Sequence, residues 1–141
     1  MISNISTLKL EFEISTIDGN SMSMIVNNNG VLTTLENLQE GIFVYQDYLR
    51  FPSTFSISVA GKGPLDTQVD DQGNIIKDKY IKLNNIEVDG LNCDPYYLYQ
   101  KIVLNSVDGQ IVTSNYWGFN GVVNLNFSES NSFYWGLHCV K

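Results

Sequence analysis

The sequence contains very little alanine, the residue with the strongest intrinsic preference for helix. Ala60 is the only alanine among 141 residues, whereas asparagine occurs 16 times. Hydrophobic residues make up 43% of the chain, and the β-favouring Ile, Val, Phe and Tyr are prominent among them. This composition excludes an all-helical fold and a disordered chain. The length predicts one domain that covers residues 1–141.

Positive charge is also scarce. Eight Lys and Arg residues stand against fifteen Asp and Glu residues, which gives a formal net charge of −7 at pH 7. This is the wrong sign for a protein that neutralises phosphates, so nucleic acid and anionic membranes are excluded as partners. Neutral glycans and other protein subunits remain open as partners. The alternative is that the acidic surface serves solubility alone.

Leader sequences and long apolar runs are absent. The first 15 residues contain no basic segment followed by an apolar run, so no signal peptide is expected. No stretch of 18 apolar residues occurs, so no transmembrane segment is expected. We expect the protein to act where it is made, or to leave the cell inside a particle released by lysis. Because Met1 is soon followed by a strand pattern, we expect a complete protein rather than an excised module.

Histidine and cysteine are too few for most catalytic or zinc chemistry. His138 is the single histidine, and Cys93 and Cys139 are the two cysteines. A nucleophilic triad or a tetrahedral zinc site would have to be built on this one histidine. Glu11 and Glu13 have a spacing that a glycosidase could use, but they lie on the polar side of a predicted strand. We therefore predict that the protein is not an enzyme, and a small enzyme that uses these two glutamates is the alternative.

Hydrophobic alternation with a period of two runs through most of the chain and predicts about nine or ten short strands. Turn signals rich in Gly, Asn and Asp separate them. We predict a hairpin over residues 8–26 and a final hairpin that pairs 123–127 with 133–139. A shift of phase predicts that residues 81–88 form either one strand with a bulge or two short strands. No amphipathic helix is predicted. The predicted fold is all-β: a single-domain, antiparallel, jelly-roll-like β-sandwich.

Residues 61–79 interrupt the alternation with three glycines, one proline and four aspartates, which predicts the longest loop. Carboxylates and loop carbonyls are the hard oxygen ligands that calcium prefers. The spacing does not fit an EF-hand, yet calcium is the one ion that this loop suggests. The candidate ligands are Asp66, Asp70, Asp71 and Asp78. The alternative is a solvated acidic loop and no cofactor.

Two aromatic clusters in predicted loops are candidates for ligand or interface contacts. Flat rings stack on sugar faces or anchor protein interfaces, and amides bind hydroxyls. The alternative for the second cluster is that Trp117 and Phe119 fold back onto the core. The candidates are Tyr96, Tyr97, Tyr116, Trp117, Phe119 and Asn120.

Three segments carry a resemblance to a known class of proteins. Residues 66–81, the run Ile86-Glu87-Val88-Asp89, and residues 116–121 are similar to segments of small β-sandwich proteins from tailed-bacteriophage particles. These proteins look like carbohydrate-binding modules in architecture. The resemblance covers roughly residues 55–137 and brings no catalytic residues with it.

The resemblance implies a non-enzymatic virion protein, made in the host cytoplasm, that decorates the capsid or belongs to the tail or a fibre. Its implied partners are other virion proteins or further copies of itself in a homo-oligomer, and a host-surface glycan. The alternative is a carbohydrate-binding module of a bacterial glycan-active system, with or without calcium. In that case Tyr96, Tyr116, Trp117 and the aspartate loop would form the sugar site.

Overall fold

A computed structural model describes residues 5–93, 102–106, 111–112 and 114–139, and these residues form β-strands and one helix. Every described strand pairing is antiparallel. The elements are β1 (Ile5–Ser15), β2 (Ser23–Asn28), β3 (Val31–Leu35), β4 (Gly41–Arg50), β5 (Ser53–Ala60), β6 (Thr67–Val69), β7 (Ile75–Asp78), β8 (Tyr80–Val88), β9 (Leu91–Asn92), β10 (Ile102–Ser106), β11 (Ile111–Val112), β12 (Tyr116–Trp117), β13 (Gly121–Phe127) and α1 (Ser132–Cys139).

The strands form two main sheets and a separate hairpin. The first sheet has the order β12-β8-β1-β4, with β9 also paired to β8. The second sheet has the order β11-β10-β13-β5-β2-β3, and β6 and β7 form a two-stranded sheet. Both main sheets contribute to one hydrophobic core, with Phe12 and Trp117 from the first and Ile57 and Val123 from the second. The prediction of an antiparallel, jelly-roll-like β-sandwich is confirmed.

Strand β1 occupies the middle of the first sheet, between β4 and β8. Leu8, Leu10, Phe12 and Ile14 are buried, whereas the residues between them face outward. This is the half-buried strand that the alternation predicts. The register with β8 shifts between Glu11 and Phe12, which leaves Asn84 as an extra residue in β8. The predicted bulge is therefore confirmed.

The predicted hairpin over residues 8–26 is wrong, because β1 and β2 lie in different sheets. The turn itself is present: Ile17 and Asn20 exchange two backbone hydrogen bonds of 2.9 and 3.0 Å around Asp18 and Gly19. Both strands bury one side in the same core. Their alternation would be the same whether the second strand lay beside the first or opposite it, so the pattern alone could not decide.

The predicted final strand over residues 133–139 is wrong, because a helix lies where no amphipathic helix was predicted. The segment forms α1, which begins after Asn131. The Asn131 side chain accepts a 3.1 Å hydrogen bond from the Tyr134 amide, as an N-cap residue does. Trp135 is 0% exposed, whereas Phe133 is 58% exposed. Their spacing of two therefore does not reflect a common buried side.

The change from strand to helix also removes the strand positions predicted for His138 and Cys139, which lie in the last turn of α1. Among the described residues, no helix is long enough and apolar enough to span a membrane.

The prediction that residues 61–79 form one long loop is wrong in part, since the segment contains the β6–β7 hairpin. Asp70 closes its turn: the carboxylate accepts 2.9 Å hydrogen bonds from the amides of Gln72 and Asn74. Gly73 has a φ of +84°, which glycine adopts without strain. The hairpin is mostly exposed, so it shows no buried alternation that a sequence pattern could reveal.

Candidate binding surface

Two of the four predicted calcium ligands are paired with lysines. The Lys62 ammonium donates to the Asp78 carboxylate and to the Lys79 carbonyl. The Lys79 ammonium donates to the Gly61 carbonyl at 2.8 Å and lies 3.5 Å from the Asp66 carboxylate. All four of these charged side chains are at most 20% exposed. Protein ammonium groups therefore neutralise the carboxylates that a calcium ion would need.

The hydrogen bonds around Asp78 keep its carboxylate ionised. Burial alone would raise the pKa of Asp78, but hydrogen bonds from Lys62, Thr67 and Tyr116 outweigh this effect and lower the pKa. For Asp66, the Gly63 amide is the main cause of a lowered pKa. Both carboxylates act as anionic anchors for the segment that connects β5 to β8.

The other two predicted calcium ligands lie apart from this pair. Asp70 holds the turn of the β6–β7 hairpin, and the Asn74 and Gln72 amides lower its pKa. Asp71 is exposed in the same turn. No group of three His, Cys, Asp or Glu side chains within the described ranges is arranged to hold a metal ion. The four aspartates are therefore not brought together into one cluster, and calcium binding stays a prediction.

The structure places Trp117 and Phe119 toward the core. Trp117 is 0% exposed, and its indole N–H donates a 3.0 Å hydrogen bond to the Ser114 carbonyl. Its ring lies 5.9 Å from that of Phe12. Phe119 packs partly against the same core. Trp117 offers no free ring surface to a ligand, in agreement with the alternative that these residues fold back. Tyr96 and Tyr97 lie outside the described residues.

Tyr116 and Asn120 are brought together around Lys62. Tyr116 is 39% exposed, its ring centre lies 4.4 Å from that of Tyr80, and its hydroxyl donates to the Asp78 carboxylate. The Asn120 amide accepts from the Lys62 N–H at 2.9 Å and donates to the Lys62 carbonyl at 3.0 Å. Asn120 thus holds the backbone of its neighbour, while Tyr116 retains a partly exposed ring.

A different aromatic residue is far more exposed. Tyr48 lies on the outward side of β4 and is 69% exposed. It borders a groove of about 470 Å³ that runs over the first sheet. The groove is lined from three strands by Thr7 and Lys9 of β1, Gln46 and Tyr48 of β4, and Glu87 of β8. The register explains this grouping, because Lys9 lies opposite Gln46 on one side and opposite Glu87 on the other.

A second depression, of about 540 Å³, lies on the other side of Tyr48. Its polar lining consists of Asn28, Asn29, Asp47 and Arg50, with Ile5 and Val31 as apolar neighbours. Tyr48 borders both depressions. We call the groove, the depression and Tyr48 together the Tyr48 surface.

The backbone beneath Tyr48 is held in place. The Tyr48 N–H donates to the Asp47 carboxylate at 2.8 Å, and the Tyr48 carbonyl accepts from the Asn28 amide at 2.8 Å. Asp47 also accepts from the Tyr45 hydroxyl at 2.6 Å. Burial would raise the pKa of Asp47, but these hydrogen bonds lower it, with that from Tyr45 the largest among them. An ionised, fully engaged carboxylate therefore fixes the strand that presents Tyr48.

Sequence reasoning missed Tyr48, although a signal was available. Tyr48 lies between Asp47 and Leu49 in a strand whose inward positions include Tyr45 and Leu49. A large aromatic residue on the outward phase of a strand has no core role to explain it. Glu11 and Glu13, the carboxylates considered for catalysis, line neither depression, and Glu13 accepts a 2.9 Å hydrogen bond from Tyr80.

Comparisons with known proteins give two distant structural matches. No family model matches the chain, and no curated protein matches it. One similar structure is described as "vCBM60 in complex with galactobiose", with 12% identity, a TM-score of 0.47, and coverage of 85% of this chain and 97% of that one.

The second similar structure is the selenomethionine form of vCBM60. Its description states that circular permutation links two families of calcium-dependent carbohydrate binding modules. It has 11% identity, a TM-score of 0.48, and coverage of 86% and 90%. Similarity of this degree assigns neither ligand nor metal to the chain. The chain is a β-sandwich by its own strand pairing, and it is distantly similar to these carbohydrate-binding modules.

Proposed function

We propose that the protein is a non-catalytic carbohydrate-binding module and that glycan binds at the Tyr48 surface. The observation that carries this proposal is the position of Tyr48, a largely exposed aromatic residue between two depressions with polar linings. Binding sites for small ligands typically combine an apolar or aromatic surface with a few polar groups that set orientation.

The side chains around Tyr48 suit a ligand covered with hydroxyl groups. The ring supplies a flat apolar face for a sugar ring. On the groove side, the Gln46 amide can donate and accept, the Lys9 ammonium donates, and the Glu87 carboxylate accepts. Because each hydroxyl both donates and accepts, this mixed set can satisfy several hydroxyls of one sugar.

The positions of the carboxylates support binding rather than hydrolysis. Glycoside hydrolysis needs two carboxyl groups that flank one scissile bond. Asp47 is engaged by three donors, from Tyr45, Asn28 and Tyr48. Glu11 and Glu13 lie outside both depressions. The groove is thus lined by Glu87 and by the engaged Asp47, and none of its other lining residues carries a carboxylate.

A virion role stays a prediction from the sequence resemblance. No feature of the described residues favours a capsid, tail or fibre location, and the comparisons contain no phage protein. Homo-oligomerisation and calcium binding likewise stay predictions.

The test is a glycan array followed by isothermal titration with the best ligand. We expect Tyr48→Ala to abolish measurable binding while the variant keeps its thermal stability, because the side chain is exposed. Tyr134→Ala, which removes another exposed tyrosine that borders neither depression, is the matched control and should bind normally. Retained affinity in Tyr48→Ala contradicts the proposed site. Loss of affinity in Tyr116→Ala instead would place the site at the cluster predicted from sequence.

A further inference from the structure

Arg50 is the one arginine of the chain, and its position beside Tyr48 bears on the kind of glycan that would bind. It lies on the outward side of β4, two residues beyond Tyr48, and lines the second depression. In an antiparallel strand, residues two apart lie on the same side at about 6.8 Å. The guanidinium is therefore within reach of a sugar that stacks on Tyr48.

The guanidinium has no anionic partner within the described part of the protein. The ion pairs there join Lys62 with Asp78, Lys77 with Glu40, and Lys79 with Asp66. The carboxylate that shares the depression with Arg50 is Asp47, which forms no ion pair with it. Asp47 is instead engaged by the hydrogen bonds from Tyr45, Asn28 and Tyr48.

Arg50 is also held in place at its backbone. The Asn29 side-chain amide donates from Nδ2 to the Arg50 backbone carbonyl at 3.4 Å, and its Oδ1 accepts from the Thr54 N–H at 2.8 Å. The turn between β2 and β3 thus ties the end of β4 to the beginning of β5. A strand end that is fixed before binding loses less entropy when the ligand arrives.

Lys9 is a second cation, on the groove side of Tyr48, and it forms no ion pair with any residue that the structure describes. Its cross-strand neighbour Glu87 lines the same groove, so the charges there are balanced. Arg50 differs because the Asp47 carboxylate beside it accepts hydrogen bonds from Tyr45, Asn28 and Tyr48 rather than from the guanidinium. An arginine pairs most strongly with a carboxylate, through two parallel hydrogen bonds.

We propose that the glycan ligand is acidic, and that Arg50 binds a sugar carboxylate while the sugar ring stacks on Tyr48. This inference rests on the proposed function. Arg50 sets the preference for acidic over neutral glycans, and Tyr48 provides the affinity that is common to both.

The experiment uses paired probes: oligouronides and sialylated oligosaccharides, each beside its carboxyl-reduced, neutral counterpart. Titrations of the intact protein should give about tenfold or greater preference for the acidic member, the size expected for one charge-assisted hydrogen bond. Arg50→Gln should remove this preference by weakening binding of the acidic member much more than binding of the neutral member. Arg50→Lys should keep part of the preference, and higher salt should reduce it.

The outcomes separate this inference from the proposed function. Equal affinity for the two members of every pair overturns the acidic ligand and leaves the carbohydrate-binding function standing. Equal loss of both affinities in Arg50→Gln also overturns it, because Arg50 would then support the surface as a whole. Binding to no member of any pair counts against both proposals. Lys9→Gln is the matched control, and a loss of preference there would move the carboxylate to the groove.

Discussion

Phe127 is the point at which three parts of the fold meet, and its removal tests the placement of α1. The side chain is 1% exposed at the end of β13. Its ring centre lies 5.9 Å from Phe51, 5.7 Å from Phe55 and 5.5 Å from Trp135 of α1. The first two contacts are edge-on, a favourable geometry for aromatic pairs. One ring therefore joins β13 to the β4–β5 connection, to β5 and to the helix.

The cost of Phe127→Ala follows from these contacts. Truncation of a buried Phe to Ala costs about 3 to 5 kcal/mol, and the three ring contacts place this site at the upper end, about 4 to 5 kcal/mol. For a chain of this length the corresponding fall in Tm is about 10 to 20 °C. Urea unfolding followed by tryptophan fluorescence and circular dichroism measures the change in the free energy of unfolding.

Phe133→Ala is the matched control, because it removes the same side chain from α1. A strand over residues 133–139 would bury Phe133, whereas in the helix it is 58% exposed. We expect Phe133→Ala to change stability by at most about 0.5 kcal/mol. A cost for Phe133→Ala equal to that of Phe127→Ala, or a cost below about 1 kcal/mol for Phe127→Ala, would refute the reasoning.

Two further predictions concern a helix end and an ionised carboxylate. Asn131→Ala should lower stability by about 1 kcal/mol and Asn131→Asp should restore it, because the side chain caps α1; equal stability of the three proteins in urea would contradict the cap. The pKa of Asp78 is lower in the folded protein, so its stabilisation is present above the unfolded value near 3.9 and is lost as pH falls through the folded value. The acid side of the stability curve, measured below about pH 4, should therefore be shallower for Asp78→Asn, and parallel curves would contradict this.

Sequence reasoning succeeded where burial on one side of a strand leaves a direct trace. β1 was recognised because four of its five inward residues, Leu8, Leu10, Phe12 and Ile14, are apolar, and the β8 bulge because Asn84 shifts the phase by one. It failed where different structures produce the same pattern of hydrophobic residues in the sequence. A strand beside β1 and a strand facing it have the same alternation, and Trp135 is equally buried in a strand or in a helix.

The candidate surface was harder to foresee than the fold. Aspartates in one loop suggested a shared ion. In the fold, however, Asp78 pairs with Lys62 and Asp66 lies beside Lys79, and neither pairing is visible from the sequence. Tyr48 can be identified as part of a candidate site only when the strand pairing is known, because the groove beside it is assembled from β1, β4 and β8. Such a surface has no contiguous motif, and alternation could show only that Tyr48 faces outward.

The central place of β1 has a consequence for how the chain is made. β1 ends at Ser15, but its partner β8 ends at Val88, so the ribosome must add a long stretch before the pair can close. At about 5 to 20 residues per second, this takes roughly 4 to 15 s. During that time one hydrogen-bonding edge of β1 can pair with β4, once β4 is made, while the other edge still awaits β8. The nascent chain, rather than the finished sandwich, is therefore the form in which this protein is most exposed to aggregation, and slower translation between β4 and β8 should lengthen that period.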